Sequence, residues 1–194
     1  MNELKDFEPV LKADDVELRW LEPNFQNAKM LFDAYTAERP EYFRYYGDMT
    51  EIAPSPEQIF LNMDYGHTKD KNKRDYGIFL NNEFIGCINI GIWNLKASEI
   101  GLGIWLKEKD SIRGLLHLPK AASMFESELW RRGVNRINYQ CDTNNVAAQK
   151  LAEALGYKFE GIARQVLVYE NGRMGDAKNY AKVKSDIINQ KSEN

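Results

Sequence analysis

The sequence is short of the residues that carry disulfide, metal and nucleophile chemistry. It holds two cysteines and two histidines in 194 residues. Cys87 and Cys141 lie inside apolar alternating stretches. That reads as two small buried side chains, not as a disulfide framework or a metal site, and no metal is expected. His67 and His117 stand at no recognisable spacing from a Ser or Cys nucleophile, so His67 reads as a loop residue and His117 as a helix-start residue. Net charge is nearly absent as well: 26 Lys and Arg against 29 Asp and Glu leave −3. This argues against a general nucleic-acid or anionic-membrane binder and leaves room for a local basic patch. The best apolar run, Phe84 to Trp93, is broken by Asn89, and it falls short of the ~18 residues a membrane span needs. The first residues, Met1 to Asp6, lack the basic-then-apolar order of a signal peptide. A cytoplasmic protein with no membrane or nucleic-acid partner is expected.

What is present is core material. Hydrophobic residues make up 43% and aromatics 12%, too much for a disordered chain. At the ~150 residues of a typical domain, the length predicts one domain with peripheral additions. Polarity rises at Thr68 to Asp75, where both charge signs indicate a solvated loop, and in the tail from Ser185, expected to fray. Val16 to Leu21 alternates like a strand. Asn24 can cap a helix carrying Ala28, Leu31, Phe32 and Tyr35. Ser55-Pro56-Glu57 has the cap and first-turn proline of a second helix, burying Ile59, Phe60 and Met63. Tyr76 to Leu80 and Phe84 to Trp93 form a hairpin about Asn81-Asn82, and Glu99 to Leu106 gives a third strand. Leu118, Ala122, Phe125 and Leu129 line a long helix stopped by Gly133. Ile137 to Cys141 is a strand. Asn145 caps a helix that ends at Gly156, and Tyr157 to Tyr169 and Asn179 to Val183 close the pattern. The passage from residue 99 to 141 calls for a right-handed crossover and a parallel pair, while the hairpins are antiparallel. A mixed, mostly antiparallel α/β (α+β) sheet with helices on both faces follows.

Three segments resemble the GNAT acyltransferases, and within them the RimJ/RimL-like family that acetylates N-terminal amines of ribosomal proteins. Glu83-Phe84-Ile85-Gly86-Cys87-Ile88 followed by Ser98 to Leu106 is similar to the family's "G-x-I … aEIGYWL" hairpin. Asn145-Val146-Ala147-Ala148 … Leu155-Gly156-Tyr157-Lys158-Phe159-Glu160-Gly161 is similar to "N-x-x-S … kLGF-x-x-EG". Asn171-Gly172-Arg173-Met174-Gly175-Asp176 … Tyr180 resembles the closing "ngr-x-xD … Y". The resemblance implies a single domain over residues 1–194, with its core about 16–184 and a frayed tail 185–194. It implies acetyl-CoA as acyl donor and a primary amine as acceptor, either a protein N-terminus or a small molecule, joined by direct attack in a ternary complex.

It also implies a site. Two central strands splay apart and the pantetheine arm adds between them; here these are Glu99 to Leu106, with Ile104, Trp105 and Leu106 beside the cofactor, and Ile137 to Cys141. The pyrophosphate rests on N–H groups of the turn Ser111-Ile112-Arg113-Gly114-Leu115-Leu116. This turn departs from the family's Q/R-x-x-G-x-G/A, keeping only Gly114 of its small residues. Pro119 would cost ~3 kcal/mol inside a helix but nothing in a first turn. A remodelled or shifted helix start near His117 or Leu118 is therefore expected. Asn145 contacts the pantetheine arm or caps its helix. Ala148 stands where the family carries a Ser that protonates the leaving thiolate. A Tyr can take over, with Tyr157 the choice and Tyr139 and Tyr180 as alternatives, or water can do so. Glu99 deprotonates the amine or is a carboxylate paired with a basic residue. Arg113 neutralises a phosphate or is a solvated charge. The aromatic segment Glu38 to Tyr46 offers Tyr42, Tyr45 and Tyr46 to the acceptor, or else packs on the core or in a homodimer contact. The altered turn and Ala148 also admit a second class of function, a GNAT-fold module that binds a ligand or protein and has lost the chemistry.

Overall fold

The computed structural model describes residues 7–37, 55–66, 73–94, 96–107, 111–169 and 172–187. Eight strands form one sheet: β1 (Val10–Ala13), β2 (Val16–Trp20), β3 (Lys73–Leu80), β4 (Glu83–Asn94), β5 (Glu99–Leu106), β6 (Arg136–Asp142), β7 (Lys158–Val168) and β8 (Met174–Val183). Their spatial order is β1-β2-β3-β4-β5-β6-β8-β7. Every neighbouring pair is antiparallel except β5 and β6, the parallel pair that the sequence predicts.

Helices α1 (Phe25–Ala37) and α2 (Pro56–Asp64) cover one face, and α3 (Ser111–Arg131) and α4 (Val146–Ala154) the other. Their starts are set by local chemistry. Asn24 Oδ1 accepts the Asn27 N–H at 2.8 Å, Ser55 Oγ that of Gln58 at 3.2 Å, and Asn145 Oδ1 that of Ala148 at 3.1 Å. Gly133 and Gly156 end α3 and α4 at φ of +85° and +82°, where a side chain would be strained. The larger core joins Val16, Leu18, Tyr76, Ile78, Ile88, Ile100 and Ile137 to Phe125 and Leu129 of α3 and Leu151 of α4. The smaller joins Leu21, Cys87 and Trp105 to Leu31, Ile59 and Met63 of α1 and α2. Cys87 and Cys141 are free and buried, as read. Among the described residues no helix is long and apolar enough to cross a membrane.

Three expectations change. β1 was not legible, because an edge strand of four residues carries little pattern. β8 begins at Met174 and not near Asn179; its early inward positions are Gly175 and Ala177, which pack without a hydrophobic signal. The helix start near His117 or Leu118 is also corrected. α3 begins at Ser111, and Pro119 lies inside it. A proline there withholds one N–H from the Leu115 carbonyl. Around the proline the helix meets the β1–β2 turn: Lys120 pairs with Asp14, and His117 Nδ1 lies 3.6 Å from Asp15 Oδ1.

Candidate active site

Alternation along a strand sorts side chains onto two faces. Ile88 and Ile90 of β4 and Ile100, Leu102, Ile104 and Leu106 of β5 face the α3/α4 core. Cys87 and Trp105 face α1 and α2. The same parity puts Asn89, Gly91, Gly101 and Gly103 on the α1/α2 side. There a cavity of about 650 Å³ opens, roofed by Leu31 and Tyr35 of α1 and Ile59, Asn62 and Met63 of α2.

Its floor is laid out in rows by strand register. Asp75 pairs with Asn89 and Asn89 with Gly103; in the next row Lys73 pairs with Gly91 and Gly91 with Gly101. Three glycines thus lower the floor. At Gly103 the space above is used by Asn89: a Cβ there would stand 2.3 Å from its Oδ1. Gln140 of β6 also lines the cavity, so the space reaches from β5 to β6. This is where the sheet parts. The β5–β6 ladder runs only from Glu99↔Arg136 to Gly101↔Asn138. Beyond it β5 follows β4 to Leu106 and β6 follows β8 to Asp142.

Asp75 is the one carboxylate among the described residues that line the cavity. Burial pushes its carboxyl up to about 6, against the opposing pull of Lys73 and Arg74. Its backbone carbonyl accepts the Leu21 N–H at 2.8 Å, while its carboxyl makes no hydrogen bond or ion pair with the described residues.

Glu99 stands on the same face, two residues beyond Gly101. Its Oε1 accepts from Arg136 Nε at 3.2 Å and from the Asn138 amide. Arg136 also donates to Glu160 at 2.8 Å, and that hydrogen bond holds the Glu160 carboxyl below its ordinary value. Glu99 is thus hydrogen-bonded to Arg136 and Asn138 at the closed end of the strand gap.

The other sequence-named residues fall in three places. Ile104 and Leu106 are buried toward α3, and Trp105 packs on Tyr35 with ring centroids 4.9 Å apart. Ser111, Ile112, Arg113, Gly114 and Leu115 form the first turns of α3, and Leu116 after them is 79% exposed. Asn145 caps α4, and Ala148 packs partly buried on the larger core. Tyr157 is corrected: it does not line the cavity. It is 4% exposed in the α3/α4 core, and burial beside Glu126 holds its phenol well above its ordinary value. A buried phenol that clings to its proton on the opposite face from the cavity is a poor acid for a thiolate. Tyr139 and Tyr180 face the same core. Tyr42, Tyr45, Tyr46 and His67 lie outside the described residues.

Sequence reading missed Asp75, Asn89 and the glycine floor. A signal was there: Asp75 and Asn89 are polar residues at inward strand positions, which become meaningful once the register aligns them.

The comparisons agree on the family. The model described as Acetyltransferase (GNAT) domain matches residues 15–158. No curated protein matches the sequence. Among solved structures, the chain is similar to a RimL ribosomal L7/L12 alpha-N-protein acetyltransferase in complex with coenzyme A: TM-score 0.77, 20% identity, covering 90% of this chain and 97% of that one. It is also similar to a ribosomal-protein-S5-alanine acetyltransferase from Vibrio fischeri, with TM-score 0.79, 17% identity and coverage of 92% and 98%. A third is the microcin C7 self-immunity acetyltransferase MccE with acetyl-CoA and AMP, with TM-score 0.75, 17% identity and coverage of 88% and 93%. With the family model covering most of the chain and the sheet parting between β5 and β6, the chain belongs to the GNAT acetyltransferases.

Proposed function

We propose that this protein transfers an acetyl group from acetyl-CoA to a primary amine by direct attack in a ternary complex. One observation carries the reading: a cavity on the α1/α2 face reaches across the place where the β5–β6 ladder stops. An amine held in that cavity meets a thioester lying in the strand gap, which supplies the proximity an uncatalysed encounter lacks. Backbone of β5 and β6 would hold the pantetheine arm, and the first turn of α3 would face the pyrophosphate with its N–H groups. With net charge −3, phosphate binding rests on that turn, with Arg113 as its nearby cation. Ala148 offers no proton to the thiolate and Tyr157 is on the wrong face, so water protonates the departing sulfur. The acceptor is a protein N-terminus, as the name of the RimL neighbour states for that enzyme, or a small-molecule amine.

Heat stability tests the donor. At acetyl-CoA about 100 times its Kd, native-state binding adds ~2.7 kcal/mol, which for a domain of this size raises Tm by about 5–10 °C. An unchanged Tm with both acetyl-CoA and CoA returns the chain to the ligand- or protein-binding module. Glu99→Gln separates the roles of that acid. If Glu99 takes the amine's proton, turnover falls ~100-fold or more with acetyl-CoA affinity unchanged. If it only anchors Arg136, turnover stays within a few-fold and Tm drops.

A further inference from the structure

We propose that Asp75 is the acceptor-ammonium site of this enzyme and the group that takes the amine's proton, which makes the acceptor a cationic primary amine that enters the cavity amine first. The proposal deepens the acetyltransferase reading and rests on it.

Three independent features place the role on Asp75. It is the one carboxylate among the described cavity-lining residues. It sits in the row Asp75–Asn89–Gly103, whose far end lies on β5 just past the last rung of the β5–β6 ladder. Its carboxyl also has no hydrogen-bonding or ion-pairing partner among the described residues. A half-buried carboxylate with no countercharge of its own, facing a cavity, is a place where an ammonium ion gains a partner. Its carboxyl, pushed up to about 6, is a stronger base than an ordinary carboxylate while still ionised at neutral pH. Asn89, lying over Gly103, offers an amide beside the path from Asp75 to the strand gap.

The groups facing Asp75 fit a cation-accepting site. Lys73 and Arg74 on its own strand lower its carboxyl. Cys87 of β4 is a thiol that burial and Asp75 hold well above its ordinary value. Tyr35 of α1 and Tyr65 just after α2 line the cavity with phenol rings. Lys73 is the one cationic side chain among the described lining residues, so a second positive charge on the acceptor near β3 is disfavoured.

The step balances. Two strand spacings of about 4.8 Å separate Asp75 from β5, so the ammonium gives one proton to the Asp75 carboxylate through water in the cavity. The freed nitrogen lone pair attacks the thioester carbonyl carbon, forming the C–N bond while the carbonyl electron pair moves to oxygen. Collapse restores the carbonyl and breaks the C–S bond, its electron pair leaving on sulfur. The second nitrogen proton passes through water to the thiolate, and Asp75 returns its proton to solvent.

The test measures kcat/KM against pH for wild type, Asp75→Asn and Asp75→Glu, with N-terminal peptides, glucosamine and spermidine as acceptors and acetyl-CoA affinity measured alongside. Asp75→Asn is expected to lower kcat/KM by ~100-fold or more and to abolish the acidic limb, with acetyl-CoA affinity unchanged. Asp75→Glu is expected to keep part of the activity with the limb moved. The Asn variant should fold: a carboxyl raised in the native state withdraws stability as pH rises past its unfolded value, and the amide removes that loss. Its Tm near neutral pH should match or exceed that of wild type. An Asn variant within threefold of wild type, limb intact, overturns the proposal and leaves the acetyltransferase reading standing. A wild type that neither binds acetyl-CoA nor acetylates any acceptor overturns that reading instead. The ammonium site is then decided by carboxyl NMR of Asp75 with spermidine or a peptide amine: a downward shift of its titration supports the site, and none overturns it.

Discussion

Lys182→Met is expected to destabilise the fold by about 3–5 kcal/mol near pH 8, and by clearly less near pH 5. Lys182 Nζ lies 2.7 Å from Glu126 Oε2 and donates to the Leu155 carbonyl at 2.8 Å. Glu126 is 2% exposed, on α3 under β8. Burial raises its carboxyl and Lys182 opposes that rise; Glu126 Oε1 stays without a hydrogen-bond partner beside the Tyr157 hydroxyl. Replacing Lys182 by a thioether leaves this carboxylate buried with no countercharge. The native state then binds a proton more tightly than the unfolded chain does. Stability is retained at low pH, where both states are protonated, and lost as pH rises past the unfolded carboxyl value. Denaturant melts at the two pH values measure this. Adding Glu126→Leu should recover most of the loss, since an apolar pair tolerates the site that a lone charge does not. A loss under about 1 kcal/mol at the higher pH, or one that does not change with pH, would show that the pair contributes nothing to stability.

Gly86→Ala is expected to cost at the upper end of the ~1–3 kcal/mol typical of overpacking and to weaken acetyl-CoA binding. A Cβ on Gly86 would stand 2.2 Å from the Trp105 carbonyl oxygen and 2.8 Å from the Leu106 Cα. These are backbone atoms of β5, so no rotamer change relieves the contact, and the β4–β5 pairing Gly86↔Leu106 must open. The strand displaced is the one that borders the gap, so fold and site move together. Thermal melts with and without acetyl-CoA read both effects. A variant with wild-type Tm and wild-type ligand shift would show that β5 yields freely at its end.

The resemblance and the cavity reached different parts of the site. The resemblance pointed to Glu99, Asn145 and Gly114 because they stand at fixed distances within short motifs. Asn145 indeed caps α4, since a cap acts on N–H groups three residues away. Asp75 and Asn89 were not legible. They are 14 residues apart in sequence and meet only as register partners across a hairpin; a polar residue at the start of a strand reads as loop until its partner is known. Tyr157 failed for the converse reason: its place in a motif was clear, but the face it points to depends on how β6, α3 and β8 enclose it.

Composition and periodicity by themselves determined that this chain folds as a mixed sheet with helices on both faces, where most caps and stops fall, and that its two cysteines are buried and free. Those properties are local, or sums over the chain. Tertiary structure alone decided that α3 begins at Ser111 with Pro119 inside it, with Lys120 and His117 of the helix beside Asp14 and Asp15 of the β1–β2 turn. It alone decided that the β5–β6 ladder ends after three rungs and that, among the described residues, one carboxylate lines the cavity. Strand register joins residues far apart in sequence, and burial acts on a side chain only once its neighbours have arrived.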